Sequence, residues 1–280
     1  LVQGHDIVVC HGAPFTEEVF AAAPELRLVV CARGGPVNID VAAAKKAGVQ
    51  VGTTPGKNAE AVADLTIGLA ISLARLLPAA TNDVEQKAAN GEQVAESTFE
   101  GARWFGREMS SLKFGLLGLG NVGRLVAARA QAFGATVRAY DPFIDDPEVA
   151  GVGLVRDLHE LLRSCDVISL HARATAENRH MLGAPEIAAM PTGSLLINTA
   201  RESLVDEDAV LAALKSGHLA GVAADVNEKH GPWRELVGHP NFWLLPHLGG
   251  ATFETLERGA TMAADEVQRF VDGEALRWGR

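Results

Sequence analysis

Cysteine is scarce in this chain. Cys10, Cys31 and Cys165 are far apart in sequence, and no C-x-x-C pair occurs. An odd, scattered set argues against a disulfide framework or a cysteine zinc site, and fits reduced thiols in a cytoplasm. There is no N-x-[ST] sequon, no signal-like segment and no apolar run of membrane length. The longest apolar stretch, residues 59–77, is interrupted by Asp64 and Arg75 and reads as a buried core helix. An excess of positive charge is missing as well. The formal net charge of −10 argues against nucleic acid or an anionic membrane as the main partner. It leaves room for an anionic small molecule, which needs only a local cationic site. The chain opens on Leu rather than Met, in sequence that reads as mid-domain. What is plentiful is apolar: 48% of 280 residues are hydrophobic, enough for two compact domains with sizeable cores.

The stretch 113–141 organises the rest. Phe114-Gly115-Leu116-Leu117 is a short apolar run that reads as a buried strand. Gly118-Leu119-Gly120-Asn121-Val122-Gly123 follows at once, and residues 124–133 read as a helix with Leu125, Val126 and Ala130 inward. Gly134 stops that helix, residues 135–140 form a second strand, and Asp141 closes the unit. Strand, glycine turn, helix, strand and carboxylate in this order are the dinucleotide-binding pattern in its required context. Gly118 makes the tight turn, Gly120 admits a pyrophosphate to the backbone, and Gly123 lets helix and strand pack closely. The pyrophosphate is expected on the helix N-terminus, and Asp141 on the ribose hydroxyls.

Strands at 6–10, 26–31 and 49–51 alternate with helices at 16–22 and 37–47, which implies a parallel sheet. Thr16 reads as the N-cap of a capping box, with Val19 and Phe20 inward. Residues 54–58 break the pattern and mark a domain boundary. Pro78 is read as ending the long helix. Residues 81–107 form a polar arm carrying Phe99, Trp104 and Phe105, which read either as an interface anchor or as side chains packed on their own domain. After the glycine unit come a helix at 158–163, a strand at 167–170, a helix at 184–189, a strand at 195–198, a helix at 206–216, strands at 221–226 and 242–245, and a long helix at 252–271. Asp141, His171, Arg201, Asp225 and His247 all fall at or just after strand C-termini. In an open parallel sheet that edge binds ligands, so five polar residues there point to one site.

The motifs resemble the D-isomer-specific 2-hydroxyacid dehydrogenase family, which includes phosphoglycerate dehydrogenases. The matching pieces run along the chain: residues 33–40 (Arg33, Gly34, Gly35, Pro36 to Asp40), 61–64, 118–123, 196–201, 224–226 and 246–250. The resemblance implies a Rossmann-type doubly wound parallel sheet domain that binds NAD, at residues 58–251. It also implies a smaller flavodoxin-like α/β substrate domain built from both chain ends, residues 1–57 and 252–280, lacking roughly its first strand and helix. The implied reaction is hydride transfer between NAD and a 2-hydroxy or 2-keto acid. Arg201 would bind the substrate carboxylate and polarise the carbonyl, and His247 would exchange the proton. Gly34 and Gly35 would offer backbone N–H groups to the carboxylate, with Arg33 adding a cation where many members carry a small residue. Asp225 would hold the carboxamide, and Thr199 and Ala200 would line the nicotinamide side. The cofactor set is Gly118, Gly120, Asn121, Val122, Gly123, Asp141, His171, Thr199, Ala200, Asp225, Gly249 and Gly250.

The chain departs from the family where a glutamate pairs with the catalytic histidine. His230 stands at that position, inside Asn227-Glu228-Lys229-His230-Gly231-Pro232. A second imidazole cannot raise the pKa of His247 as a carboxylate does, so reduction is expected to favour lower pH, unless Glu228 takes the place. Two further readings compete: a nucleotide-sensing scaffold with weak or lost catalysis, and a formate- or phosphite-type dehydrogenase. A homodimer joined through the 81–107 arm is expected, with no nucleic acid, membrane or metal. Asp141 predicts NAD over NADP, because its carboxylate repels a 2′-phosphate.

Overall fold

The computed structural model describes residues 2–96, 102–146, 148–227 and 231–280. In chain order the elements are β1 (Ile7–Cys10), α1 (Glu17–Ala21), β2 (Leu28–Cys31), α2 (Val41–Lys46), β3 (Gln50–Thr53), α3 (Ala59–Ala74) and α4 (Leu77–Ala89). Next come β4 (Lys113–Leu117), α5 (Asn121–Ala132), β5 (Thr136–Tyr140), β6 (Gly153–Val155), α6 (Leu158–Ser164), β7 (Val167–Leu170) and α7 (Ala184–Ala189). The last are β8 (Ser194–Asn198), α8 (Glu207–Lys215), β9 (Leu219–Ala224), α9 (Trp233–Val237), β10 (Phe242–Leu244) and α10 (Phe253–Val271). Among the described residues no single helix is long and apolar enough to cross a membrane.

The chain divides into two compact units, Leu1–Ala61 with Gly250–Arg280, and Val62–Gly249. In the first, β1, β2 and β3 form a parallel sheet in that order. β2 is buried along its whole length, as the central strand of a covered sheet must be. Phe15, Phe20, Val29, Ala44 and Val51 fill one core, and Leu28, Val30 and Ala263 of α10 fill another. The C-terminal tail is tied down by a buried carboxylate. Glu266 on α10 accepts from the backbone N–H of Arg277 at 2.9 Å and of Trp278 at 3.3 Å. Bonds to a charged group contribute about 1.5–3 kcal/mol each.

The second unit holds a seven-stranded, all-parallel sheet in the order β10-β9-β8-β7-β4-β5-β6. The order reverses at β4, which pairs with β5 on one side and β7 on the other. That is a topological switch point, where open α/β sheets bind ligands. Period-two alternation feeds two cores. Phe114, Leu116, Val167, Leu195 and Ile197 belong to one, while Leu117, Ile168, Leu170, Leu196 and Val222 belong to the other. This is the doubly wound α/β architecture expected from the sequence.

Local readings differ at several places. α2 starts at Val41, not residue 37, because the Asp40 side chain caps it by accepting from Ala43 N at 2.9 Å. Thr16 is the N-cap of α1, but its side chain makes no capping bond. Pro78 does not end a helix. It sits in the first turn of α4, where its missing N–H costs nothing, and the break is made by Leu76 at a φ of 59°. β6 and α9 are two short elements that had not been expected.

Candidate active site

Strand registers align Val155, Tyr140, Leu117, Leu170, Asn198, Ala224 and Leu244 in one row across the seven strands. Several of the expected site residues follow within three positions of that row. Asp141 comes after β5, Gly118 after β4, His171 after β7, Thr199, Ala200 and Arg201 after β8, Asp225 after β9 and His247 after β10. All of them stand along the C-terminal edge of one sheet.

The glycine turn has a separate physical reason at each glycine. Gly118 has a φ of 94°, and a Cβ there would lie 2.7 Å from the Ala172 nitrogen. A Cβ on Gly123 would collide with the Gly118 carbonyl oxygen. Gly120 is different. It has nothing within 4 Å of a Cβ and serves as N-cap of α5 without a side chain to occupy the first N–H groups of Asn121, Val122 and Gly123. A helix start with open space above it suits an anion. Asp141 braces the turn: Oδ2 accepts from Leu119 N at 2.9 Å and Oδ1 from Phe143 N at 3.0 Å. The His171 ring sits 3.0 Å from Ser169 Oγ through Nε2, and its desolvation pushes the pKa down to about 3, so the ring is neutral.

After β8 the turn is shaped by Asn198, which is buried. Its Oδ1 accepts from Ala200 N at 3.1 Å, and its Nδ2 donates to Arg201 O at 2.8 Å. Thr199 Oγ1 lies 3.2 Å from Oγ1 of Thr66 on α3. Arg201 is exposed, and its guanidinium donates to Ala200 O at 2.6 Å. Asn198 and Thr66 were not singled out as site residues. A polar residue closing an otherwise apolar strand was the available signal for Asn198, whereas Thr66 is a small residue in an apolar helix and gave none.

His247 is exposed and has a φ of 60°, a left-handed conformation that costs a non-glycine residue about 1–3 kcal/mol. Asp225 holds it there. This buried carboxylate accepts from Leu248 N at 2.6 Å and from Gly249 N at 2.7 Å. A Cβ on Gly249 would lie 2.9 Å from Asp225 Oδ2, so the approach requires glycine. Gly250 falls in the other unit, beside Asn58.

In the first unit, Arg33, Gly34 and Gly35 follow β2 at the C-terminal edge of its sheet. Neither glycine has an atom within 4 Å of a Cβ position. Lys57 joins them as a neighbour of Arg33. Burial first, and then the Arg33 charge, lower its pKa from the usual lysine value. His230 and Glu228 lie outside the described residues, as does Phe99 of the arm. Of its other aromatics, Phe105 is 69% exposed and Trp104 lies under the Arg103 guanidinium at 4.5 Å. No group of residues able to hold a metal ion occurs among the described residues.

A glycine turn at a switch point, with an arginine and a strained histidine further along the same edge, is a layout that suits a dinucleotide at that edge. Residues 67–249 match the family model of the D-isomer specific 2-hydroxyacid dehydrogenase NAD binding domain, and the chain belongs to that family. It is 35% identical over 271 residues to the D-3-phosphoglycerate dehydrogenase of Methanocaldococcus jannaschii, covering 96% of this chain and 50% of that protein. The corresponding enzyme of Bacillus subtilis is 35% identical over 269 residues, covering 95% and 49%. The chain thus spans about half the length of the curated relatives it matches. Among solved structures, the TT0316 protein of Thermus thermophilus superposes with a TM-score of 0.86 at 32% identity, over 99% of this chain and 86% of that one. The D-lactate dehydrogenase of Aquifex aeolicus, solved with NAD and lactic acid, gives 0.80 at 28% identity, over 98% and 85%.

Proposed function

We propose that the chain is an NAD-dependent oxidoreductase interconverting a D-2-hydroxy acid and its 2-keto acid. The observation that carries this reading is the turn in which Asp225 holds His247 in a strained conformation, on the same sheet edge as Arg201 and the glycine turn. The residues fit the dinucleotide: Gly120 leaves open space at a helix start, and Asp141 braces the turn beside it. NAD, when bound, supplies the nicotinamide ring that gives or takes the hydride.

The chain's own residues do the rest. Arg201 grips the carboxylate with its planar fork, and Asn198 positions the turn that carries it. Gly34 and Gly35 offer backbone N–H groups, while Arg33 and Lys57 add positive potential for the acid. His247 donates a proton to the carbonyl oxygen during reduction and takes it back during oxidation. Thr199 and Ala200 line the nicotinamide side. Asp225 uses one bond per oxygen on the His247 turn and keeps acceptor capacity for the carboxamide. A homodimer is part of the proposal: no residue of α4 is buried, Leu77 and Val84 are exposed, and a second copy would cover them. A monomer by sedimentation at micromolar concentration overturns that part.

The test is oxidation of NADH by a panel of 2-keto acids, with NADPH in parallel. Turnover with NADH and weaker kcat/KM with NADPH are expected, because Asp141 repels a 2′-phosphate. Tight NADH binding without turnover on any keto acid would favour a nucleotide-sensing scaffold instead.

A further inference from the structure

Two of the three cysteines, 21 positions apart in sequence, meet in the first unit. Cys10 ends β1 and Cys31 ends β2, and the two are register partners in the parallel pair. Adjacent strands lie about 4.8 Å apart, inside the roughly 4.4–6.8 Å between Cα atoms that a disulfide spans. Register partners point to the same face of a sheet, and both cysteines pack against the same core. Asn38 bridges them. Cys31 Sγ lies 3.2 Å from Asn38 Oδ1, and Asn38 Nδ2 lies 3.8 Å from Cys10 Sγ. The sulfurs differ in character. Cys31 is buried, while Cys10 is partly exposed. A hydrogen bond from the Cys31 thiol lowers the Cys10 pKa to about 7, against the opposing effect of burial. The same pairing pushes Cys31 up, so it remains a protonated donor.

We propose that Cys10 and Cys31 form a thiol-modification site, in which Cys10 reacts with a hydroperoxide and Cys31 resolves the product as an intramolecular disulfide. The Cys10 thiolate attacks the peroxide O–O bond. With one proton, it gives a sulfenic acid and releases an alcohol, or water from hydrogen peroxide. The Cys31 sulfur then displaces that hydroxyl, forming the S–S bond, and its proton leaves with the hydroxyl as a second water. The two thiols are oxidised by two electrons, and the peroxide takes them up. A dithiol, or two monothiols in succession, returns the pair to its reduced form by exchange and leaves as a disulfide. Cys165 serves as an internal control. It is buried in the second unit, its burial raises its pKa, and its Sγ lies 3.7 Å from Ser164 Oγ. The site stands on the geometry of the first unit and does not depend on the dehydrogenase reading.

The test is brief treatment of the purified chain with hydrogen peroxide, then alkylation under denaturing conditions and mass spectrometry. The expected product has lost two hydrogens, contains a Cys10–Cys31 cross-linked peptide, has Cys165 alkylated, and reverts with dithiothreitol. In Cys31→Ser, Cys10 should instead accumulate as sulfenic acid, trapped by a dimedone probe, while Cys10→Ser should leave Cys31 reduced. The Cys31→Ser arm reads the chemistry of Cys10 without requiring the disulfide. Equal oxidation of all three cysteines, cross-links between chains, or no Cys10–Cys31 peptide at a peroxide dose that oxidises methionine would overturn the proposal.

Discussion

The glycine turns after β4 and after β2 obey different constraints. In the turn after β4, Gly118 is held by a φ of 94° and the close backbone of Ala172, and Gly123 by the Gly118 carbonyl. The fold itself needs those two. In the turn after β2, Gly34 and Gly35 have neither a positive φ nor an atom within 4 Å of a Cβ position. Nothing in their own unit requires glycine there. Gly120 shares that freedom although it sits inside the first turn. The difference separates glycines kept for backbone geometry from glycines whose only evident use is to let something approach the main chain.

The histidine turn gives the sharpest way to probe that separation, because there conformation and chemistry oppose each other. Asparagine tolerates the left-handed region better than histidine. His247→Asn should therefore fold at least as stably as the wild type while kcat falls roughly 10²–10⁴-fold, the usual contribution of an acid–base group. Steady-state kinetics beside urea denaturation would show both halves. Wild-type turnover would remove the proton-exchange role, and a large loss of stability would remove the strain argument.

Gly118→Ala should act on the fold first. The side chain meets both an unfavourable φ and backbone atoms of Ala172 and His171, so a loss of about 2–5 kcal/mol is expected. The midpoint of chemical denaturation measures it. An unchanged midpoint would mean that the turn is no more demanding than the one after β2.

Asn198→Ala sits between these extremes. It removes two hydrogen bonds from a buried turn, so about 1–3 kcal/mol of stability should go. Because Arg201 hangs on that turn, KM for the keto acid should rise more than kcat falls. Loss of stability with an unaltered KM would confine Asn198 to the fold.

The sequence made much of this visible, for identifiable reasons. β4, β7 and β8 are apolar runs bounded by turn residues, and Asp141, His171, Arg201, Asp225 and His247 at the strand ends point to the sheet edge from sequence alone. β6 escaped because three residues at the margin of a sheet carry no readable period. α9 is a single five-residue turn of helix with the same problem. Pro78 was misread because proline suits the first turn of a helix as well as the position after its last. The true break, Leu76 in a left-handed conformation, has no local signature in sequence. The bond between Asp225 and the His247 turn was invisible because the partners are 23 and 24 residues apart and use backbone N–H groups, which leave no mark on residue identity.

Gly35→Ala predicts the smallest effect on the fold and tests the comparison most directly. With open space around its Cβ and an ordinary φ, the substitution should leave stability within about 0.5 kcal/mol. Any change within that range should be a gain, since alanine lowers the entropy of the unfolded chain. If Gly35 is kept so that a carboxylate can reach its N–H, the added methyl should weaken that bond by about 1.4 kcal/mol, which is ten-fold in affinity. KM for the keto acid would then rise about ten-fold with kcat little changed, the pattern of lost ground-state binding. If Arg33 and Lys57 also attract the acid, as proposed, the loss should not exceed that of Arg201→Ala. An alanine that unfolds the unit would show a packing constraint on Gly35. An alanine that leaves both stability and KM untouched would detach this turn from the substrate.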